Sequence, residues 1–399
     1  MHPNRRDDER VRRNASALVD ADLDAFVCAL PINVLLLTGY WPVVGTSVAV
    51  CTREGRVLLL VPEDERPLAE HAWAVEVIGY SAGSLDDIRG MAEIVTAELR
   101  KAAGKLSLTS IGFESDAVSL PVSYAAVTMF GWSMHDILDE AFGPAKLVPA
   151  GALLARLRSV LTPDEIGRVR RACKIAESAY SNGREKLTAG LTEIEAANAF
   201  RDGLSPDDLP DQSRADGYTF CMSGENSYRA SAAFQLSRTR RLQQHDLALV
   251  HCNSYLDGFW TDITRTYCIG EPDQQRRNMY EAIFLARDAA LDAIAPGVPA
   301  ADVDARARRV LDSCGFGAGF KHSLGHSVGY AAIDHNARPR LHPASPDRLE
   351  TGMVFNIEPA IYIPYLGGIR HCDMVAMSDK GPELLTPFQA DLRSIIVRC

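Results

Sequence analysis

The sequence lacks any apolar run long enough to cross a membrane. In 399 residues, no hydrophobic stretch approaches the roughly 20 residues that a membrane-spanning helix requires. Residues 1–14, MHPNRRDDERVRRN, are strongly charged, and no apolar segment follows them. We therefore expect neither a signal peptide nor a membrane anchor.

An excess of positive charge is also missing. The 42 lysines and arginines are outnumbered by 52 aspartates and glutamates, which gives a net charge of −10 at pH 7. An acidic surface repels the phosphates of nucleic acids and of anionic lipids. We therefore expect neither nucleic acid nor a membrane as a partner.

Cysteine is present, but without regular spacing. The nine cysteines are an odd number, which argues against a disulfide framework and is more typical of a reduced, cytoplasmic protein. The sequence has no low-complexity segment and no short-period repeat. The content of 47% hydrophobic and 24% charged residues is ordinary for a soluble globular protein, and the length allows two domains.

Short apolar runs in the N-terminal part predict strands. The runs 25–28 and 33–37 are typical of buried strands. The runs 47–51 and 57–61 predict a hairpin that turns at Arg53-Glu-Gly55.

Helical spacing follows these strands. Apolar residues recur every three or four positions over about 84–103 and 120–141, which predicts two helices and completes an α/β unit. The join to the second domain is placed near Val148-Pro-Ala-Gly151. The prediction is an N-terminal α/β domain at 1–152 and a C-terminal domain at 153–399.

The C-terminal part opens with a strong helix signal. Thr162 is suited to the N-cap, Pro163 to the first helical position and Glu165 to the third. We expect a long helix from here to about residue 187 and a second helix that begins at 191–195. Further on, the sequence is richer in strands, with helices at about 274–295 and 300–313.

Three segments of the C-terminal part carry potential ligands beside glycine or proline turns. They are His251 through Trp260-Thr-Asp262-Ile-Thr-Arg-Thr266; His322-Ser-Leu-Gly-His326-Ser-Val-Gly329; and Gly352-Met-Val-Phe-Asn-Ile-Glu358-Pro359 with Gly367-Gly-Ile-Arg370-His-Cys372-Asp373. Carboxylates and imidazoles on separate, rigid segments suit a metal site or an acid–base site.

Together these segments resemble the peptidase M24, or pita-bread, family, which includes Xaa-Pro aminopeptidases, prolidases, methionine aminopeptidases and creatinase. Pro31–Tyr40 and Arg156–Glu165 extend the resemblance toward the N-terminus. It implies an α+β chain, with a C-terminal pita-bread domain preceded by a smaller, creatinase-like α/β domain. It also implies a homodimer, in which Tyr40 and Trp41 of one subunit help to close the partner's pocket; core packing is the alternative role for these two residues.

The resemblance implies a set of metal ligands. In the family's metallopeptidases, two aspartates, a histidine and two glutamates hold two divalent ions. By position, Asp262, His326 and Glu358 match three of these ligands. The first aspartate falls on His251 and the last glutamate on Cys372.

The resemblance also implies catalytic residues. His322 and His335 match two further active-site histidines, and Arg370 matches the arginine before the last ligand. The proton-shuttling histidine of prolidase-like members, which is also the base of creatinase, falls on Ser231 or Phe234. The sequence has no histidine between 217 and 244, so that group is absent.

These departures change what the site can bind. An imidazole and a thiolate in place of two carboxylates weaken the negative charge that holds two dications together. Asp262, His326, Glu358 and Cys372 can form one four-coordinate site, and a thiolate favours Zn or Fe over Mn or Co. His251 would then act as a general base or complete the metal's coordination. A metal-free site is the alternative.

Three functions follow as hypotheses. The first is a metal-assisted hydrolase of an amide or related C–N bond in a small substrate or short peptide, with weak activity on Xaa-Pro dipeptides. The second is a metal-free, creatinase-like hydrolase of a guanidino or cyclic compound. The third is a non-catalytic binding module.

Structural roles stay open for several of these residues. Asp262 can pair with Arg265, and His322 and His326 can be satisfied core histidines. Cys372 can be a small buried hydrophobic residue. His371 and Asp373 are expected to point away from Cys372 on a strand.

Overall fold

Two units make up the computed structural model, which describes residues 6–74, 76–81, 86, 89–115, 134–205, 209, 213–232 and 234–397. The first unit is Met1–Arg158 and the second is Ser159–Cys399. The boundary predicted at 152/153 falls inside a helix, Gly151–Ser159, and the units divide near the end of that helix. Among the described residues, no helix combines the length and the apolar character needed to span a bilayer.

The first unit is built on a six-stranded sheet with the order β4-β3-β2-β1-β5-β6. Strand β2 is antiparallel to both of its neighbours, β1 and β3, whereas β3 pairs with β4, β1 with β5 and β5 with β6 in parallel. The strands are β1 Ala25–Cys28, β2 Val48–Thr52, β3 Val57–Pro62, β4 Glu76–Tyr80, β5 Ser110–Phe113 and β6 Lys146–Pro149.

Helices flank this sheet. They are α1 Asp8–Asp20, α2 Pro31–Thr38, α3 Arg66–Ala69, α4 Met91–Ala103, α5 Met134–Phe142 and α6 Gly151–Ser159. One hydrophobic core joins α4 and α5 to the sheet. It includes Val27, Val50, Leu58, Leu99, Ile111 and Leu138, all fully buried.

The strand predicted at 33–37 is wrong, because these residues lie in helix α2. Pro31 occupies the start of the helix, where its missing N–H costs nothing, and Gly39 ends it in a left-handed conformation with φ 69°. All eight residues of α2 are buried. A fully buried helix has no polar face, so its apolar run cannot be told from a strand by periodicity.

The other N-terminal predictions are largely confirmed. Strand β1 coincides with 25–28, and β2 and β3 form the expected antiparallel hairpin. The helix predicted at 84–103 begins later, at Met91. Of the helix predicted at 120–141, the described part is α5; residues 120–133 lie outside the described residues.

The helices of the second unit follow the capping signals. They are α7 Pro163–Lys186, α8 Glu193–Arg201, α9 Glu225–Tyr228, α10 Gln274–Ala293, α11 Ala300–Ser313 and α12 Leu392–Ile395. At the start of α7, Thr162 and Glu165 form the predicted capping box, in which each side chain accepts from the other's backbone N–H. Thr192 and Glu195 cap α8 in the same way.

The strands of the second unit form three sheets. The largest has the order β16-β10-β8-β7, with β9 paired to β8, and the others are β11-β14-β15 and β12-β13. The strands are β7 Ala215–Ser223, β8 Leu247–Leu256, β9 Phe259–Trp260, β10 Ile263–Ile269, β11 Val354–Ile357, β12 Ala360–Ile363, β13 Gly367–Arg370, β14 Asp373–Ser378, β15 Gly381–Leu384 and β16 Ile396–Val397.

A buried charge network joins β10 to β14 and α10. The Arg265 Nη2 atom lies 2.7 Å from Asp373 Oδ1, and the Arg287 Nε atom lies 2.5 Å from Asp373 Oδ2. His371 Nε2 lies 3.2 Å from the same carboxylate. Arg265 therefore pairs with Asp373, and this partner replaces the Asp262–Arg265 pair considered from sequence.

We expect Asp373→Asn to lower the free energy of unfolding by about 3–5 kcal/mol, because two buried guanidinium groups lose their counter-charge. Burial acts to raise the pKa of Asp373, but Arg265, His371 and Arg287 hold it far below its usual range. The stabilisation is therefore present above the unfolded pKa of about 3.9 and is lost as the pH falls below it.

Urea denaturation at several pH values tests this prediction, with the exposed Asp379→Asn as a matched control. The difference in the free energy of unfolding between Asp373→Asn and the unchanged protein should become smaller as the pH falls from 7 to 3. An equal, small effect for both variants at pH 7 would contradict the prediction.

Candidate functional site

The pairing of β8 with β10 brings the first group of predicted site residues together. Thr264 in β10 is opposite His251 in β8, and it also forms a bridge to Cys372 on its other side. Asp262 comes immediately before β10. One register therefore places His251, Asp262 and Cys372 around the start of a single strand.

The second group is aligned along β11. The Asn356 N–H donates to the His326 carbonyl at 3.1 Å, and the Glu358 N–H donates to the Leu324 carbonyl at 2.7 Å. A Cβ on Gly325 would lie 2.0 Å from the Asn356 carbonyl oxygen, so this approach requires glycine. It sets His326 beside Glu358.

The two groups meet at Asp262, which is fully enclosed. His326 Nε2 lies 3.3 Å from Asp262 Oδ2 and 3.9 Å from Glu358 Oε1. Arg370 Nε lies 3.8 Å from Glu358 Oε2. The result is a buried chain of alternating charge that runs from Asp262 through His326 and Glu358 to Arg370.

Burial and neighbouring charges shift the pKa values of these side chains. Burial acts to raise the pKa of Asp262, but His251 and His326 outweigh it and hold the pKa below its usual value. Burial acts to lower the pKa of His326, but the hydrogen bond to Asp262 outweighs it and raises the pKa. Burial raises the pKa of Glu358 to about 7, against the opposing effect of Arg370.

Cys372 is placed against Asp262 as a thiol. Its Sγ donates to the Asp262 carbonyl oxygen at 3.1 Å and lies 4.0 Å from Asp262 Oδ1. Burial raises the pKa of the Cys372 thiol well above its usual value, and Asp262 adds to the effect. A thiolate, the form that binds a metal, is therefore disfavoured in this arrangement.

His251 has both ring nitrogens engaged. Its Nδ1 lies 3.0 Å from Thr264 Oγ1 and its Nε2 lies 3.1 Å from Asn253 Oδ1. Burial lowers the pKa of His251 to about 4, although Asp262 acts to raise it. The edge of His251 meets the Phe234 ring at 4.9 Å, so an aromatic ring borders this side of the site. His251 is not a free base in this arrangement.

The other predicted catalytic residues lie around the cluster. His322 donates from Nδ1 to the Ser323 carbonyl at 2.8 Å, and its Nε2 accepts from the Tyr362 hydroxyl at 3.1 Å. Burial lowers the pKa of His322 to about 4. His335 is exposed, and its ring centre lies 5.7 Å from that of His326.

Arg370 is anchored beside Glu358. Its Nε donates to Thr264 Oγ1 at 3.1 Å. Its Nη2 is buried and has no hydrogen-bond partner among the described residues. A buried guanidinium nitrogen without a partner suits a group carried by a substrate.

Sequence reasoning missed Asn356. Its Nδ2 lies 3.3 Å from Asp262 Oδ2, 3.2 Å from His326 Nε2 and 3.4 Å from Cys372 Sγ. The spacing offered a signal, because residues two apart in an extended segment share a face. Asn356 precedes Glu358 by two positions.

The residues as arranged do not fit the predicted metal site. Among the described residues, no group of three or more His, Cys, Asp and Glu side chains is placed to hold a metal ion. The Asn356 amide stands between Asp262, His326 and Cys372, and Cys372 is directed at a carbonyl as a donor. The four-coordinate site predicted from Asp262, His326, Glu358 and Cys372 is not formed here.

Tyr40 and Trp41 are buried in the first unit, with 5% and 8% of their surfaces exposed. The Tyr40 hydroxyl donates to Glu65 Oε2 at 2.7 Å. This contact gives Tyr40 a structural role within its own unit. Its part in closing a partner's pocket stays a prediction.

Comparison with known proteins agrees with this architecture. Residues 167–379 match the model of metallopeptidase family M24, and residues 10–160 match the creatinase/prolidase N-terminal domain. The chain is 27% identical to an Xaa-Pro dipeptidase of Pyrococcus furiosus over 384 residues, which are 96% of this chain and 99% of the relative.

The backbone is also similar to those of solved structures. The prolidase from Pyrococcus horikoshii superposes with a TM-score of 0.76 at 26% identity, over 95% of this chain and 98% of that one. An Xaa-Pro dipeptidase from Bacillus anthracis superposes with a TM-score of 0.78 at 24% identity, over 97% and 99%. The fold is therefore a pita-bread domain preceded by a creatinase-type domain. The chain belongs to metallopeptidase family M24 and is a hydrolase of C–N bonds.

Proposed function

We propose that this protein hydrolyses an amide or a related C–N bond of a small substrate or short peptide at the cluster around Glu358. The observation that carries this proposal is the buried placement of Glu358 between His326 at 3.9 Å and Arg370 at 3.8 Å. A carboxyl group between an imidazole and a guanidinium cation, out of bulk water, is suited to proton transfer.

In this mechanism Glu358 is the group that moves the proton. One of its carboxylate oxygens accepts a proton from water as the water attacks the substrate carbon. The same carboxyl then gives the proton to the leaving nitrogen as the C–N bond breaks. His326, held by Asp262, faces Glu358 and stabilises the charge that changes during these two transfers.

In the same mechanism, Arg370 stabilises the negative charge that develops on the substrate oxygen. Its free Nη2 hydrogens can be offered to the oxygen that becomes negative when water adds to the substrate. A positive donor fixed in a buried site stabilises such an oxygen without reorganisation. Nε is already held by Thr264, which keeps the guanidinium in place.

The chemistry of the site supports a metal-independent route. Family M24 is a metallopeptidase family, and the residues predict at most one Zn or Fe ion per chain. The Asn356 amide lies among three of the four predicted ligands, however. We therefore favour a centre in which no step needs a metal, and keep the single ion as the competing hypothesis.

Xaa-Pro dipeptides are the first substrates to examine, because the similar proteins named above are Xaa-Pro dipeptidases and a prolidase. We propose that they are poor substrates here. By position, His251 and Cys372 replace two carboxylates, and neither Ser231 nor Phe234, where the shuttle histidine of the family falls, is a histidine. The alternative substrate that we propose is a small guanidino compound or a cyclic amide.

The oligomeric state and the location are proposed on the resemblance and composition alone. We propose a cytoplasmic homodimer with a domain boundary near 152/153. Light scattering of the purified chain measures its mass against the 43.5 kDa of one chain.

We expect Glu358→Gln to lower kcat/KM by about 10²–10⁴-fold, because the amide cannot exchange the proton. Turnover of amide, guanidino and cyclic-amide compounds measures the effect. The matched control is the exposed Glu281→Gln on α10, which should leave the rate unchanged. A Glu358→Gln enzyme of full activity would exclude Glu358 as the proton carrier.

We expect the purified protein to carry at most about one metal ion per chain and to cleave Ala-Pro and Leu-Pro slowly, because two carboxylate ligands are missing. Elemental analysis and a dipeptidase assay on the same sample measure both. Two Mn or Co ions per chain, together with fast dipeptide cleavage, would contradict this expectation.

We expect turnover of the best substrate to survive exhaustive chelation, because no proposed step passes through a metal. The rate is compared before chelation, after chelation and after Zn or Fe is added back. Loss on chelation with recovery on adding one equivalent of metal would favour the single-metal hypothesis instead.

A further inference from the structure

We infer that the side-chain amide of Asn356 takes the place of a metal ion, so that Asp262, His326 and Cys372 form a hydrogen-bonded cluster around its nitrogen. The inference deepens the proposed function and rests on it for its catalytic meaning. Its structural content is independent, because it concerns what the cluster binds and not what it hydrolyses.

The position of the nitrogen is the first support. Nδ2 lies 3.3 Å from Asp262 Oδ2, 3.2 Å from His326 Nε2 and 3.4 Å from Cys372 Sγ. These three atoms belong to residues that the family pattern assigns to metal binding. They converge on the amide nitrogen as ligands converge on an ion.

The orientation of the amide is the second support. Its Oδ1 accepts from the His326 backbone N–H at 2.7 Å, and a backbone N–H is only a donor. The oxygen is therefore fixed on that side, and the two amide hydrogens are directed toward the cluster. Asn356 is fully buried, with 0% of its surface exposed.

The direction of the neighbouring groups is the third support. His326 donates from Nδ1 to the Ser327 carbonyl at 3.1 Å, which leaves Nε2 to face the amide. In metal sites, a hydrogen bond of this kind from the other ring nitrogen orients the histidine. The Nε2 atom then lies 3.2 Å from the amide nitrogen and 3.3 Å from Asp262 Oδ2. It accepts an amide hydrogen when the ring is neutral and donates to Asp262 when the ring is protonated.

The distances within the cluster are those of hydrogen bonds to an amide and are too long for bonds to a metal ion. Zinc lies about 2.0–2.3 Å from nitrogen, oxygen and sulfur ligands. The three atoms here lie 3.2 to 3.4 Å from the amide nitrogen, as hydrogen-bonded groups do. An ion at the same point requires the amide to leave and all three side chains to move inward by about 1 Å.

Asn356→Asp is the sharpest test. It replaces the amide nitrogen by an oxygen of nearly the same size and keeps the oxygen that accepts from His326. The cluster then loses its central donor and gains a ligand atom. We expect the variant to bind about one Zn per chain, and at least about 100-fold more tightly than the unchanged protein.

Metal content after dialysis, calorimetric titration with Zn and the shift of Tm with Zn are the readouts, and none depends on catalysis. With Co(II), a thiolate absorption band reports whether Cys372 has become a ligand. Adding Cys372→Ser to Asn356→Asp should remove that band. Asn278→Asp, at an exposed asparagine of α10, matches the change in charge and should bind no Zn.

Asn356→Ser covers the case in which Asn356→Asp does not fold. It removes the amide nitrogen without adding a carboxylate, and should raise Zn affinity by a smaller factor. The inference is overturned if the unchanged protein binds one Zn or Fe per chain with a Cys372-dependent band. It is also overturned if neither folded variant gains Zn affinity.

These results separate the inference from the proposed function. A library without a substrate would remove support from the hydrolytic proposal and leave the metal readouts intact. Retained turnover in chelator, with strong Zn binding by the unchanged protein, would overturn the role of Asn356 and leave the hydrolysis in place.

Discussion

The pairing of β10 at Thr264 is the interaction on which the site depends. On one side of β10, the Thr264 carbonyl accepts from the Cys372 N–H at 3.0 Å. On the other side, the pairing with β8 places His251 opposite Thr264. The Thr264 hydroxyl also lies 3.0 Å from His251 Nδ1 and 3.1 Å from Arg370 Nε. A shift of this register by one residue would turn each of these side chains to the opposite face. The buried Arg265–Asp373 pair, one position further along, stabilises the same register.

Charge balance explains how the same strand pairing can hold His251 and Cys372 at positions where the family has carboxylates. Four carboxylates and one imidazole at such short range repel one another strongly unless cations lie between them. Here the carboxylates of the cluster are Asp262 and Glu358; the imidazole of His326 lies beside the first, and the guanidinium cation of Arg370 lies beside the second. His251 and Cys372 add no negative charge at their protonation states. The cluster is therefore compatible with burial in the absence of dications.

The sequence predicted the scaffold better than the chemistry, and the residues show why. The capping box of Thr162 and Glu165 is a local pattern, so it can be recognised without knowledge of the fold. Helix α2 was mistaken for a strand because its complete burial erases the periodic signal. Asn356 was missed because its role arises from three partners that are 94, 30 and 16 positions away in the chain. His251 is predicted as a general base or a further metal ligand, and its contacts with Thr264 and Asn253 cannot be predicted locally because they depend on strand register.

The departures at this site act together. Once Cys372 is a thiol, its sulfur supports the Asp262 carbonyl. Once Asn356 supplies the central hydrogens, Asp262 and His326 have a donor that stays in place without an ion. The Phe234 ring lies against His251, and the sequence has no histidine between residues 217 and 244. Arg370 Nη2 is among the buried side-chain atoms that have no hydrogen-bond partner in the described part of the chain. Arg370 lies beside Glu358, whose pKa is raised by burial to about 7. In the metal-independent route that we propose, Glu358 transfers the proton and Arg370 stabilises the oxygen that becomes negative.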